Sequence, residues 1–174
     1  MNLKDYIRSI QDYPKKGILF RDITTLIKDK NAFAETINQI VERSKKYNFT
    51  KIAAIESGFV FASAVSYILK KPFIMLRKKN KLPADVHSID FELEYGTATI
   101  EVHKDSLDEN DSVLIIDDLI ATGGTAEAAA KLVEMSKSKV SVFVFVINLF
   151  DLGGSDNLVK KNYKVENLID FPGH

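Results

Sequence analysis

The chain has 174 residues, of which 24 are Lys or Arg and 24 are Asp or Glu, so the formal net charge is zero. That balance argues against a broad surface for nucleic acid or membrane, and 45% hydrophobic with 28% charged residues is ordinary for one compact domain spanning 1–174. The absence of cysteine excludes disulfides and thiolate metal sites, and no signal peptide or apolar run of about 18 residues is visible, so the sequence reads as a soluble cytoplasmic protein.

Along the chain, residues 3 to 11 are predicted as a short helix and Asp12 to Gly17 as a turn. Phe33, Ile37, Ile40, Val41 and Ser44 follow helical spacing and predict an amphipathic helix over about 31 to 47. Ile52 to Ile55 reads as a strand, Phe59 to Leu69 as an apolar helix and Phe73 to Leu76 as a second strand. Ile89, Phe91, Leu93 and Tyr95 alternate with polar residues, as in a half-exposed strand. Tyr95-Gly96-Thr97 then turns toward Ala98, Ile100 and Val102, which predicts a hairpin standing off the core at about 82–102. Val113 to Ile116 is a strand covered on both faces, Ala126 to Lys137 a helix, and Val140 to Leu149 a central strand rich in β-branched and aromatic residues. Strands alternating with helices imply an α/β fold with a parallel sheet and right-handed crossovers. The last two dozen residues carry no clear pattern.

The richest segment is Val113 to Thr125: strand, two adjacent carboxylates, a loop of small residues, helix. Thr122, Gly123, Gly124 and Thr125 can present several backbone N–H groups at a helix N-terminus, and with two hydroxyls and the helix dipole these form a nest for phosphate. Asp117 and Asp118 lie at the carboxyl end of the strand, where open α/β sheets bind ligands. Carboxylates beside a phosphate nest must face something other than the phosphate. A sugar diol fits, because an ionised carboxylate only accepts hydrogen bonds and a diol donates two. An ordinary βα turn seldom carries both acids and a diglycine. No G-x-x-x-x-G-K-[ST] is present, and no G-x-G-x-x-G follows a strand.

This segment resembles the 5-phosphoribosyl-1-pyrophosphate (PRPP) motif of the type I phosphoribosyltransferase family. Asp12-Tyr-Pro-Lys-Lys-Gly-Ile-Leu-Phe-Arg-Asp-Ile-Thr-Thr-Leu26, Arg77-Lys-Lys-Asn-Lys-Leu-Pro83, and Leu93-Glu-Tyr-Gly96 followed by Glu101-Val-His-Lys-Asp105 are similar to segments of the members that use adenine. The resemblance runs from about residue 12 to residue 150. It implies a parallel sheet flanked by helices with a hairpin lid, and transfer of the phosphoribosyl group of PRPP to adenine, giving AMP and pyrophosphate. Magnesium would travel on PRPP, with no ligand from the protein. In the family's terms Asp117 and Asp118 hold the ribose, and Ala121, Thr122, Gly123, Gly124 and Thr125 hold the 5′-phosphate. Glu56, Ser57 and Gly58, with Arg77, Lys78 and Lys81, face pyrophosphate. Leu19, Phe20 and Arg21 on one side and Leu149 on the other enclose adenine, Phe20 by stacking and the backbone by pairing with N1 and N6. Glu94 would exchange a proton near adenine N7 and Tyr95 would cover the reaction centre. By the same analogy Arg77 reaches into a partner's site, which implies a homodimer.

One departure stands out. The family has E-S-R-G-F after the strand that matches Ile52 to Ile55, whereas this chain reads Glu56-Ser57-Gly58-Phe59 and lacks the Arg. Two other functions use the same motif: transfer to another base such as xanthine, guanine or uracil, and PRPP sensing without catalysis. The segment from Gly17 to Asp22 argues against the first. A sensor would be expected to carry a DNA-binding extension, and the short N-terminus leaves no room for one.

Overall fold

The computed structural model describes residues 1–93 and 96–174. Its centre is a seven-stranded sheet built from β3 (Lys51–Ile55), β4 (Phe73–Lys78), β5 (Val86–Leu93), β6 (Gly96–His103), β7 (Ser112–Ile120), β8 (Lys139–Leu149) and β9 (Val165–Phe171), in the order β5-β6-β4-β3-β7-β8-β9. The five strands from β4 to β9 run parallel, and β6 and β5 are added antiparallel at one edge. Helices α2 (Lys30–Ser44) and α3 (Phe59–Leu69) cover one face and α4 (Gly124–Met135) the other. A two-stranded sheet, β1 (Arg8–Gln11) and β2 (Leu19–Asp22), precedes the short helix α1 (Thr24–Lys28), and α5 (Gly154–Lys160) links β8 to β9.

The unbroken apolar run of β7 follows from this layering. Successive side chains of a strand point to opposite faces. Leu114 and Ile116 therefore join Ile40, Ile52, Phe61 and Val144 under α2 and α3, while Val113 and Ile115 join Leu76, Leu132, Phe143 and Phe145 under α4. Both faces are dry, so both sets are apolar. Helix α2 buries Ala32, Thr36, Ile37, Ile40, Val41 and Ser44 on one stripe, and Asp29 caps it by accepting from the N–H groups of Asn31 and Ala32 at 2.9 and 2.8 Å.

Three expectations change. Residues 3 to 11 are not a helix: Leu3–Tyr6 is a single 3-10 turn, and β1 pairs antiparallel with β2 from Arg8↔Asp22 to Gln11↔Leu19. Pairing with a distant segment overrides local helix propensity here. The hairpin at about 82–102 does not stand off the core. β6 pairs with β4 at Arg77↔Glu101 and Lys78↔Ile100, Ile100 and Val102 are buried, and Ile89 and Phe91 pack into the cluster under α4. The hairpin is an extension of the main sheet, with Leu93 exposed at its far end. The final residues, featureless in the sequence, form α5 and β9, and β9 covers the edge of β8 from Phe143↔Val165 to Leu149↔Phe171.

The β1–β2 arm is joined to α1 by a compact polar knot. Asp22 accepts from Arg8 Nε at 2.9 Å and from the Thr24 N–H and hydroxyl at 2.9 and 2.7 Å. The Thr24 hydroxyl and the Arg8 guanidinium together lower the Asp22 carboxyl to about 2. A depressed carboxyl contributes stability that is complete above its unfolded value and is lost as pH falls through the folded one. Asp22→Asn should therefore cost about 1–2 kcal/mol at pH 7, discounted because Arg8 is largely exposed. The difference from the parent should shrink as pH falls from about 4 and be gone near pH 2, as read by chemical denaturation at each pH.

Candidate active site

The acids fall inside β7 rather than after it, because the strand runs on to Ile120. Both are only partly buried by area, yet they lie where water has poor access to their carboxyls. Loss of solvent raises Asp118, and raises Asp117 well above the ordinary carboxylate range, where the neighbouring Asp118 charge adds to it. Asp117 Oδ1 accepts the Asp118 N–H at 2.9 Å. The remaining lone pairs of the pair are acceptors for a donor-rich ligand.

The next residues turn sharply into α4. Gly123 has φ 93° and occupies the N-cap position, with no side chain capping the helix behind it. The leading N–H groups of α4 are thus presented by Gly124, Thr125 and Ala126. A cleft of about 200 Å³ opens here, lined by Asp117, the loop from Ala121 to Thr125, and Glu92 and Leu93 at the end of the hairpin. Of the residues the resemblance implies for ribose and 5′-phosphate, the cleft gathers Asp117 and Ala121 to Thr125; Asp118 is not among its lining residues. The structure also adds one that the sequence reading missed. A Cβ on Gly154 would lie 2.4 Å from the Ala121 carbonyl and 2.7 Å from Gly123 N, and the Gly154 N–H donates to that carbonyl at 3.0 Å. Only glycine lets the start of α5 brace the phosphate loop this closely. The adjacent Gly153-Gly154 after a long strand was the available signal.

The pyrophosphate side is arranged differently. Glu56–Gly58 is a 3-10 turn that runs straight into α3. A Cβ on Gly58 would meet the Ile116 carbonyl at 2.6 Å and Asp117 Oδ1 at 3.2 Å, so this shortened turn is pressed against the acid-bearing strand. Ser57 is exposed at the turn. Glu56, at φ 29°, accepts from the Lys78 N–H at 3.3 Å and lies 3.7 Å from Arg77 Nε. Arg77 therefore stands beside the turn that lacks the family's Arg. Lys78 and Lys81 are exposed nearby in sequence, and neither side chain contributes a hydrogen bond among those seen.

On the base side, β2 places Leu19, Phe20 and Arg21 in order. The Phe20 ring is exposed and meets Tyr13 edge-on at 5.1 Å, while the Arg21 side chain is buried. Leu149 ends β8 as a buried residue in the core under α2 and α3. Glu94 and Tyr95 lie outside the described residues. Among the described residues no group of three or more His, Asp or Glu is arranged to hold a metal ion.

Residues 23–172 match the phosphoribosyl transferase domain family. The chain belongs to that family. It is similar over the full length of both chains to the adenine phosphoribosyltransferase of Pelagibacter ubique, with 85% identity across 175 aligned positions. The crystal structure of adenine phosphoribosyltransferase from Thermoanaerobacter pseudethanolicus superposes with a TM-score of 0.93 at 44% identity, covering 97% of this chain and 98% of that one. The Saccharomyces cerevisiae enzyme, solved with an imino-altritol bisphosphate and adenine, superposes with a TM-score of 0.87 at 31% identity, covering 96% of each. Asp117, the glycine-braced loop and the end of the β5 strand meet at the carboxyl ends of the parallel strands.

The acid pair has a stability cost with a definite pH signature. A carboxyl raised in the fold destabilises the protein above its unfolded value, increasingly as pH rises through the folded value, and is neutral below both. Asp117→Asn should accordingly raise Tm by a few degrees at pH 7, and the gain should vanish below about pH 4. Thermal melts across that range check it.

Proposed function

We propose that this chain transfers the 5-phosphoribosyl group of PRPP to adenine, giving AMP and pyrophosphate. The observation that carries the reading is the joining of Asp117 and the braced Ala121–Thr125 loop in one cleft, with Asp118 next to Asp117 on the same strand. The names of the relatives supply the base: an adenine phosphoribosyltransferase at 85% identity, and another at 31% solved with an imino-altritol bisphosphate and adenine.

In the reaction the bond from C1′ to the pyrophosphate oxygen breaks, the bond from C1′ to adenine N9 forms, and the proton that the ring sheds from N7 passes to Glu94. Positive charge develops on the ribose as pyrophosphate leaves. Asp117 and Asp118 fix the diol, and their field favours that charge. The amides of Thr122 to Thr125 hold the 5′-phosphate, so the sugar is anchored at both ends. Arg77, Lys78 and Lys81 supply the positive charge for pyrophosphate that the shortened Glu56–Gly58 turn lacks. Magnesium carried on PRPP would supply further positive charge to the same leaving group, with no ligand from the protein. The Phe20 ring stacks on adenine, backbone groups at Leu19 and Arg21 pair with its edge, and Leu149 closes the other face. Glu94 exchanges the proton near N7 and Tyr95 covers the reaction centre, with water excluded by the hairpin.

The working unit is a homodimer. Helix α3 leaves Val60, Tyr67 and Ile68 on one face in water, Tyr67 at 85% exposure, and Met75 on neighbouring β4 is exposed as well. Apolar residues at i, i+7 and i+8 form a stripe, and a stripe beside further exposed apolar surface fits a second copy of the chain. Arg77 follows Met75 by two residues on the same strand, which would put this surface next to the pyrophosphate side. Among the described residues no helix is long and apolar enough to cross a membrane, and the reading places the enzyme in the cytoplasm.

The test is formation of AMP from adenine, PRPP and magnesium, run beside hypoxanthine, guanine, xanthine and uracil. Adenine should be the base consumed; preference for another would overturn the reading. Asp117→Asn with Asp118→Asn removes two charge-assisted acceptors at about 1.5–3 kcal/mol each, so kcat/KM for PRPP should fall by orders of magnitude in a folded protein. Glu94→Gln should lower kcat by about 10²–10⁴-fold with little change in either KM, the signature of a group that acts in the transition state. Normal kcat in that variant removes Glu94 from the chemistry.

A further inference from the structure

The two walls of the base slot come from distant parts of the chain: Leu19–Arg21 of β2, and Leu149 at the end of β8. We propose that Phe171, the last residue of β9, is a positioning residue that ties these walls together and so sets which purine the slot admits. The proposal rests on the adenine reading of the site.

Phe171 is buried and stands opposite Leu149 in the parallel β8–β9 pairing. Its ring carries the Arg21 guanidinium, 4.4 Å from Cζ to the ring centroid. Arg21 is itself only 9% exposed. It donates from Nη2 to the Pro172 carbonyl at 3.1 Å and from Nη1 to Ser9 Oγ at 2.5 Å. The guanidinium thus reaches from β2 to β1 and to the residues just after β9. The other wall is met by Phe171 and by Gly173 two residues on. The Gly173 N–H donates to Asp151 Oδ1 at 2.5 Å, two residues beyond Leu149, and a Cβ on Gly173 would lie 2.6 Å from Leu152 Cγ. Phe171 to Gly173 therefore touches β2 through Arg21 and the end of β8 through Leu149, Asp151 and Leu152.

The β1–β2 arm has no strand pairing with the main sheet among the described residues. Its height over the sheet depends on side-chain contacts, and this cation–π stack with its backbone hydrogen bond is buried, where such contacts are strongest. A stacked base read by backbone groups tolerates little displacement of either wall. The phosphate loop and acid pair take no part in the tether. Loosening it should act on the base and not on PRPP.

Phe171→Leu keeps an apolar residue in β9 and removes the ring face. Its KM for adenine should rise about tenfold, the order of a desolvated cation–π contact, with kcat and the KM for PRPP unchanged within about twofold. Its preference for adenine over 2,6-diaminopurine should narrow. Phe171→Tyr restores the ring and should restore the adenine KM. An unchanged adenine KM in Phe171→Leu, an equal rise in both KM values, or a Tyr variant as poor as the Leu variant would overturn the proposal. Hydrogen exchange separates this from the function itself. Faster exchange in β1–β2 of Phe171→Leu supports the tether even if the parent protein makes no AMP, an outcome that would sink only the adenine reading; equal exchange refutes the tether.

Discussion

The constraint on which the rest of the structure depends is the placement of two adjacent carboxylates at the end of a strand buried on both faces. Loss of solvent raises the pKa values of both Asp117 and Asp118, and the Asp118 charge raises Asp117 further. A fold selected only for stability would not hold two acids there. The layers around β7 make the arrangement tolerable: apolar contacts on both faces of Val113 to Ile116 anchor the strand, so its polar end is rigid without help from its own side chains. The cost of the acids and the precision of their placement have the same origin.

Glycine does the corresponding work at the loops. Gly58 lets the turn after β3 press on the Ile116 carbonyl, and Gly154 lets α5 press on the Ala121 carbonyl and Gly123 N. Each contact brings one neighbouring connection within van der Waals distance of β7 or of the loop that follows it. The site is therefore framed by backbone against backbone, which leaves the phosphate-loop amides free to face outward and makes their geometry nearly independent of side-chain rotamers. The shortened Glu56–Gly58 turn fits the same scheme. It gives up a cation but keeps the close approach, and Glu56 instead links the turn to β4 through the Lys78 N–H and the nearby Arg77.

The base side is built on another principle. The arm of β1 and β2 is a separate small sheet, held at its Arg8–Asp22 end by the Asp22 knot and by the neighbouring Arg21 on Phe171. The acid pair and the Ala121–Thr125 loop thus belong to the main sheet, whereas the β1–β2 arm is joined to it by side-chain contacts and not by strand pairing. That division suits a transferase whose sugar must be held still while a planar base enters and, after transfer, leaves as part of the nucleotide.

The sequence by itself determined the elements whose signal is local. The span of α3 from Phe59 to Leu69, the buried run of β7, the acid pair and the Ala121–Thr125 loop were legible because periodicity and turn chemistry depend on near neighbours. The same holds for the alternation of β5, although its packing under α4 was not. What only the tertiary structure decided are the features that need a distant partner. Residues 8–11 are a strand because Leu19–Asp22 lies beside them. Val165–Phe171, with its mixture of polar and apolar residues, is a strand because the edge of β8 was open to be covered. Gly154 braces the phosphate loop, and Phe171 meets Arg21, across separations of more than 30 and about 150 residues along the chain. No local pattern encodes such contacts, since each residue's partner is chosen by the folded sheet and not by its neighbours in sequence.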